Sequence, residues 1–322
     1  SEAKCIACDK CAEVCPVEVD DEFVGNIAKR KAIYVRYPLG YPDVYVIDFE
    51  KCTRCGKCAE ICPTKAIDLQ AKAETINLDA GAIILAPGFE GIDVYTLGAY
   101  RHGKYPDVVT SIEFERILSG YGPSAGELKR PSDNATPEKI AFLQCIGSRD
   151  FKRDYCSSAC CMYALKEALV AKEKKPDLDI TLYYMDIRCF GKGYHRYYEE
   201  AMQKGIKFTR CRVPLVEKSL EGNLAVSYVD DNDESKKEYF DMIVLSTGQA
   251  APGNWEKIGR VFGIELNEWG FARTRAMSPV ESTRDGIFVC GSFTWPKDIP
   301  DSIAEAGAAA AKTIELLGKP MR

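Results

Sequence analysis

The apolar positions of the chain fall into short runs divided by Gly, Pro and polar clusters, and their period alternates between that of strands and that of helices. Residues 82–85 form an apolar run that reads as a short buried strand leading into Ala86-Pro87-Gly88. Thr110 with Glu113 makes a capping box for a helix through Leu118. Residues 120–137, rich in Gly, Pro, Ser and Asp, read as a connection. The pattern then predicts a strand at 140–144, a helix over 157–171, a strand at 180–185, a helix over 194–204 and a strand at 206–209. Strands follow at 224–229 and 239–245, the second running into Ser246-Thr247-Gly248, and a last strand covers 287–291. An alanine-rich helix over about 302–317 ends before Gly318. Strands and helices in alternation predict a mostly parallel sheet covered by helices, an α/β fold. The beginning of the chain is different: 32–37 and 44–48 read as a strand pair separated by a turn with Pro38, Gly40 and Pro42.

Around that strand pair lie two runs of cysteine. Cys5, Cys8, Cys11 and Cys15, with Pro16 behind them, are spaced C-x2-C-x2-C-x3-C-P, and Cys52, Cys55, Cys58, Cys62 and Pro63 repeat the spacing. Two-cluster bacterial ferredoxins use this spacing, with the fourth cysteine of each run ligating the other run's cluster. On that rule one [4Fe-4S] cluster takes Cys5, Cys8, Cys11 and Cys62, and the other takes Cys52, Cys55, Cys58 and Cys15. Thiolates select iron–sulfur or zinc over hard cations. The spacing suits a cube and overfills a tetrahedral zinc site, which leaves zinc or a structural use as the lesser alternative. Ile67, in Thr64-Lys65-Ala66-Ile67, is an apolar residue able to cover a cluster.

Composition narrows the class. With 322 residues, 46% of them hydrophobic, the chain can build a packed core. Its formal charge of -5, made more negative by any thiolate-held cluster, lacks the basic footprint of a nucleic-acid binder. Fifteen cysteines in a short secreted chain would suggest disulfides, but the opening SEAKCIACDK has no basic-then-apolar signal pattern. No apolar run reaches the length of a membrane span. A reducing cytoplasmic setting is expected, with membrane attachment open only through partners.

A second set of four thiols, Cys145, Cys156, Cys160 and Cys161, lies in LQCIGSRDFKRDYCSSACCMYALKEAL. The last three are expected at the start of a helix, where Cys156 and Cys160 share a face and the amide ends favour thiolates. A third [4Fe-4S] cluster is expected here, with a redox dithiol or zinc as the alternatives. A dinucleotide-binding domain would place its G-x-G-x-x-G turn after the strand at 140–144, yet the turn reads Cys145-Ile146-Gly147-Ser148-Arg149. Gly191-Lys192-Gly193-Tyr194 does not supply the fingerprint either, which argues against NAD(P)H as the direct donor. In GIFVCGSFTWPKDIPDSIAEAGAAAAKTIEL, a strand would deliver Gly291-Ser292 to a flavin. The following helix would aim its amides at the ring or pyrophosphate, its small residues allowing close packing. An ordinary buried helix is the bland alternative. Lys297 or Asp298 could tune a flavin. Cys189, Cys211 and Cys290 read as incidental, His102 and His195 as structural or surface residues, and Asp230 to Glu234 as a solvated turn.

The ferredoxin pair, AIILAPGFE, YPDVVTSIEFERIL, the second cysteine segment, MDIRCFGKGYHRYYEEA and the C-terminal segment together resemble the A subunit of heterodisulfide reductase along essentially the whole chain. The resemblance implies a thioredoxin-reductase-like flavoprotein core of two dinucleotide-binding domains, preceded here by a two-cluster ferredoxin α+β domain. The division it suggests is 1–70 for the ferredoxin domain and 71–137 for a FAD-domain segment and connection. Residues 138–238 would be a dinucleotide-binding-like domain carrying the extra cluster, and 239–322 the return to the FAD domain. It implies FAD contacts near Pro87-Gly88, Thr247-Gly248 and Gly291-Ser292, and around Lys297, Asp298, Ile299, Asp301 and Ser302. Three [4Fe-4S] clusters and FAD are the implied cofactors. Implied partners are B- and C-like reductase subunits, a hydrogenase or formate dehydrogenase as donor, and ferredoxin. The family's first FAD half, with its glycine-rich turn, does not precede the ferredoxin unit here, so another chain or a further stretch of this one is expected to supply it. The function implied is electron relay, with bifurcation at FAD between ferredoxin and a disulfide-reducing partner; plain single-branch transfer is the alternative.

Overall fold

The computed structural model describes residues 1–37, 40–72, 74–93, 98–220 and 222–318. Pro38 of the expected turn lies outside the described residues. Two compact units form, Ser1–Asn77 with Ile112–Leu128, and Leu78–Ser111 with Lys129–Arg322.

In the first unit the expected strand pair is Ile33–Val35 antiparallel to Tyr45–Ile47, with Ile33 opposite Ile47. A second pair, Glu18–Asp20 against Lys29–Lys31, has no apolar alternation for a sequence pattern to detect. Charge joins it instead, with Lys31 Nζ 2.8 Å from Glu18. Each cysteine run turns into a short helix, Lys10–Glu13 and Lys57–Ile61. The backbone repeats along with the sequence. Ala7 and Asp9 have φ of 49° and 61°, and the matching Arg54 and Gly56 have 54° and 84°. Left-handed residues at these places turn successive N–H groups into a concavity suited to anionic sulfur. The core is small, since Cys11, Cys15 and Cys58 occupy it beside Ile33, Ile47 and Leu69.

The second unit is built on a five-stranded sheet in the order Lys207–Arg210, Asp179–Tyr184, Lys139–Ile146, Met242–Thr247, Val108–Thr110, and every neighbouring pair is parallel. In the central Lys139–Ile146, every residue from Ile140 onward is buried, as a strand covered on both faces requires. The single strand expected at 239–245 is two. Ser235–Phe240 closes an antiparallel meander with Leu224–Val229 and Val216–Lys218, and Met242–Thr247 enters the parallel sheet. Asp241 makes the break: its carboxylate accepts the N–H groups of Glu138 and Lys139 at 2.8 and 2.9 Å.

The strand expected to be buried at 82–85 is Ile83–Leu85, and it lies at the edge of a four-stranded sheet. Only Leu85 is buried, because an edge strand is covered on fewer sides; Ile83 and Ile84 are exposed. The C-terminal helix is Ile299–Leu316, starting earlier than its alanine pattern suggests because Asp298 caps it and Pro300 fits its first turn. It buries only Ala309, against Val280, Phe288 and Cys290. The expected close packing of small residues is thus confined to one position. No helix among the described residues is long and apolar enough to cross a membrane.

From Lys139–Ile146 the chain builds outward through Asp179–Tyr184 to Lys207–Arg210, then returns to the other side as Met242–Thr247. Strand order reverses between the two central strands. Open α/β sheets bind ligands beyond the carboxyl ends of the strands at such a reversal.

Candidate metal and cofactor centres

Two cavities in the first unit divide its eight cysteines. One is lined by Cys5, Cys8, Cys11 and Cys62, with Ile67 on its wall. The other is lined by Cys15, Cys52, Cys55 and Cys58. Each therefore takes three thiols from one run and the fourth from the other. Backbone amides address the sulfurs: Arg54 N–H donates to Cys52 Sγ and Ala66 N–H to Cys62 Sγ, both at 3.3 Å. The second of these bonds holds the Cys62 thiol below its ordinary pKa. Burial pushes the Cys11 thiol up to about 11 and Cys58 in the same direction, so thiolates there need a positive partner. No three His, Cys, Asp or Glu among the described residues gather as a site for a single metal ion. A cube needs its sulfurs held wider apart than one ion does.

The second cysteine set stands at the strand-order reversal. Cys145 leaves the central strand with φ of 60°, and Gly147 and Arg149 follow at 74° and 56°. Cys156 is not on the helix, contrary to expectation: the helix is Cys160–Lys174, and the segment before it is held in another shape. Ser158 is left-handed at 57°, and Ser157 Oγ accepts the N–H of Gln249 at 2.9 Å, tying the segment to the sheet. Same-face helical spacing therefore does not relate Cys156 to Cys160. The hydrogen-bonding contact with Cys161 and burial raise the Cys160 thiol, and charge on Cys161, Cys145 and Cys156 adds to the rise, so the four are near neighbours. The same contact lowers the Cys161 thiol, and burial pushes Cys145 up to about 11. Arg149 Nη1 lies 3.9 Å from Cys145 Sγ, and Arg188 hydrogen-bonds Cys156. Both guanidiniums also hold the Asp186 carboxylate. Sequence reasoning missed this Arg149–Asp186–Arg188 group. Its one signal was the presence of paired charges in loops flanking cysteine.

Thr247 and Gly248 end the neighbouring strand and pack onto the same set. The Thr247 carbonyl accepts the hydroxyl of Tyr163, and a Cβ on Gly248 would meet Ser157 Oγ at 2.4 Å and Ile92 Cδ1 at 2.7 Å. Protein fills this side of the turn, so a flavin would not approach Gly248 from it. Gly248→Ala is expected to push Ser157 away, free Cys156 from its tether and cost about 2 kcal/mol. Iron determination and paramagnetic resonance should show loss confined to the cluster of this set; an unchanged spectrum would count against the tether.

Other residues of the flavin reading do border open space. An open cavity is lined by Ser158, Lys192, Tyr194, Asp298, Pro300 and Asp301. Gly88, with φ of 79°, has nothing within 4 Å of a Cβ position, and Gly291, with φ of 70°, has only Ser302 Oγ at 4.0 Å. Pro87 and Ile299 are exposed, and Ser292 is buried. Asp298 accepts the Asp301 N–H at 3.0 Å. With carboxylates at Asp298 and Asp301, the helix end suits an uncharged ring edge better than the pyrophosphate. Lys297 is buried and ion-paired to Glu305. Between this loop and the cysteines sits an aromatic group: Tyr155, beside Cys156, packs edge-on against Trp295 and Trp269, each with centroids 5.4 Å away.

A 4Fe-4S dicluster domain family matches residues 4–66, and a second family of that description matches 44–104. The thioredoxin reductase of T. acidophilum superposes with a TM-score of 0.50 at 14% identity, covering 73% of this chain and 65% of that one, a likeness of fold. The chain is 44% identical over 98% of its length to the second iron-sulfur A subunit of the CoB–CoM heterodisulfide reductase of Methanopyrus kandleri, covering 49% of that protein. It is 38% identical over 96% of its length to the A subunit of the H(2):CoB-CoM heterodisulfide,ferredoxin reductase of Methanothermobacter thermautotrophicus, covering 48%. The chain thus spans about half the length of the curated relatives it matches. A ferredoxin-type iron–sulfur unit joined to a thioredoxin-reductase-like dinucleotide-binding fold, it is homologous along nearly its whole length to the A subunits of the heterodisulfide reductases.

Proposed function

We propose that the chain is the iron–sulfur flavoprotein part of a heterodisulfide reductase-like complex, an oxidoreductase component that works only with its partners. It would relay electrons and divide them at FAD between ferredoxin and a disulfide-reducing partner. The observation that carries the reading is the sorting of Cys5, Cys8, Cys11 and Cys62 to one cavity and Cys15, Cys52, Cys55 and Cys58 to another. Cys145, Cys156, Cys160 and Cys161 would hold a third [4Fe-4S] cluster in the place where the fold otherwise binds a dinucleotide. Once bound, the clusters would supply one-electron and the flavin two-electron redox chemistry.

The chain's own residues have definable roles. Amides of Arg54, Ala66 and Ser158, each 3.3 Å from a cysteine sulfur, would stabilise added negative charge there. Arg149 and Arg188 would do the same from the side-chain side for the third site. Gly88 and Gly291 leave room for close backbone approach, Ser302 lies beside Gly291, and Asp298, Ile299 and Asp301 begin the helix, with Ser292 and Lys297 buried before it. Pro87 shapes the first of these turns; Thr247 and Gly248 would support the ring only from behind. These residues form part of a flavin site, which a further chain segment or a partner would complete. B- and C-like reductase subunits, a hydrogenase or formate dehydrogenase, and ferredoxin are the partners this function needs.

The test is an anaerobic preparation of the native complex. About twelve irons per chain, bound flavin, and simultaneous reduction of ferredoxin and the CoB–CoM heterodisulfide from one donor are expected. Reduction of a single acceptor would favour the non-bifurcating alternative, and zinc in place of iron would end both readings.

A further inference from the structure

The rim of the second cysteine set carries more positive charge than its thiols use. Arg149 and Arg188 share Asp186. Arg212 donates to the Arg149 carbonyl at 3.3 Å, and Arg210 to the Met185 carbonyl at 3.2 Å. Two guanidiniums therefore share one carboxylate, and two more, from the end of strand Lys207–Arg210 and the residues after it, bond the backbone of the same loops. Lys152 and Arg153 extend the row, while Asp150 is occupied in accepting their N–H groups at 2.8 and 2.9 Å. In a chain of formal charge -5 this is a local reversal of sign. The same loops project two aromatic rings into solvent, Phe151 at 93% exposure and Phe190 at 70%. Each has a cation beside it, Lys152 at 5.8 Å and Arg188 at 5.9 Å from the ring centroid. A solvated charged loop has no reason to expose large rings as well; aromatic and Arg side chains together are enriched in protein interfaces. Beneath the rim, Cys156 is half-buried and reaches toward the surface ahead of the buried Cys145, Cys160 and Cys161.

We propose that this rim is the docking face for an acidic one-electron carrier protein, which exchanges electrons with the centre held by Cys145, Cys156, Cys160 and Cys161. The inference rests on the reading that these thiols hold a cluster. One electron leaves the reduced carrier and enters that centre, with no bond made or broken and no proton moved. Charge complementarity selects the partner: carriers with thiolate-held clusters are negative, and the rim's cations would steer and orient them. Phe151 and Phe190 supply the apolar contact that salt does not screen.

The experiment uses the full chain, loaded with its cofactors under anaerobic conditions, and a reduced acidic two-cluster ferredoxin as the probe. Stopped-flow reduction should slow steeply as salt rises from about 50 mM to about 500 mM. The double substitution Lys152→Glu with Arg153→Glu should slow it about tenfold at low salt and flatten the salt profile. Phe190→Ala should slow it while leaving the salt slope intact. Reduction by dithionite should be the same in all forms, and so should iron content. A charge-reversed protein that accepts electrons from ferredoxin as fast as the parent overturns the docking face, as does a reversal that only dissolves a dimer of the chain. Equal slowing with dithionite overturns it too. A parent with about eight irons instead of about twelve refutes the third cluster rather than the face.

Discussion

Replacing Cys62 with alanine removes the same cluster as replacing Cys8, although the two residues belong to different runs. Both line the cavity of Cys5 and Cys11. In either variant iron should fall by about four atoms per chain, leaving the signals of the cluster held by Cys15, Cys52, Cys55 and Cys58. Cys15→Ala should give the complementary loss. If each run instead kept its own cluster, Cys62→Ala would erase the signals lost in Cys55→Ala, and paramagnetic resonance of the four variants distinguishes the two patterns. Stability should follow the metal. With Cys11, Cys15 and Cys58 inside its small core, the first unit has little else to hold it together. Anaerobic chelation should unfold that unit while the second, which has a five-stranded sheet and an apolar core of its own, keeps its resistance to proteolysis.

Lys297→Met should destabilise the second unit by roughly 3–5 kcal/mol. The Lys297 side chain is only 9% exposed and is paired to Glu305. Its Nζ also donates to Thr294 Oγ1 at 2.5 Å, while Gln249 clamps its backbone through two hydrogen bonds of 3.1 Å. Without the ammonium, the Glu305 carboxylate keeps the Gly291 N–H at 2.9 Å and Thr294, too little to offset a poorly solvated charge. Replacing both members, Lys297→Met with Glu305→Leu, should restore most of the loss, since an apolar pair leaves no charge stranded. Denaturant unfolding followed by tryptophan fluorescence measures both. A double variant as weak as the single one would mean that packing, not charge, sets the effect.

The chemistry of this chain was more legible in its sequence than the arrangement around it. Cysteine spacing is rigid information, because a cube fixes how far apart its ligands stand, and the crossed partition of Cys15 and Cys62 expected from the ferredoxin rule coincides with the two cavities. The parallel sheet was equally open to reading, since both faces of strands such as Lys139–Ile146 must be apolar. What escaped depended on tertiary bonds. The helix start at Cys160 is set by Ser157 reaching Gln249 across the sheet, and the break at Asp241 by a carboxylate that caps another strand. Neither leaves a periodic trace. The burial of Ile83 and Ile84 was misjudged for a similar reason: an apolar run reveals that a strand wants cover, not that it stands at a sheet edge. The charged group of Arg149, Asp186 and Arg188 joins loops far apart in the chain, and its residues look like any solvated charges until the fold unites them.

The exchange of fourth ligands between the two cysteine runs also constrains how the protein is made. Neither cavity in the first unit owns a full set of thiols until the second run is made, because Cys52 through Cys58 complete the site begun at Cys15 and Cys62 completes the one begun at Cys5. Metal loading must therefore wait for the second run, and a nascent chain halted between the runs would present four loose thiols with nothing to close around.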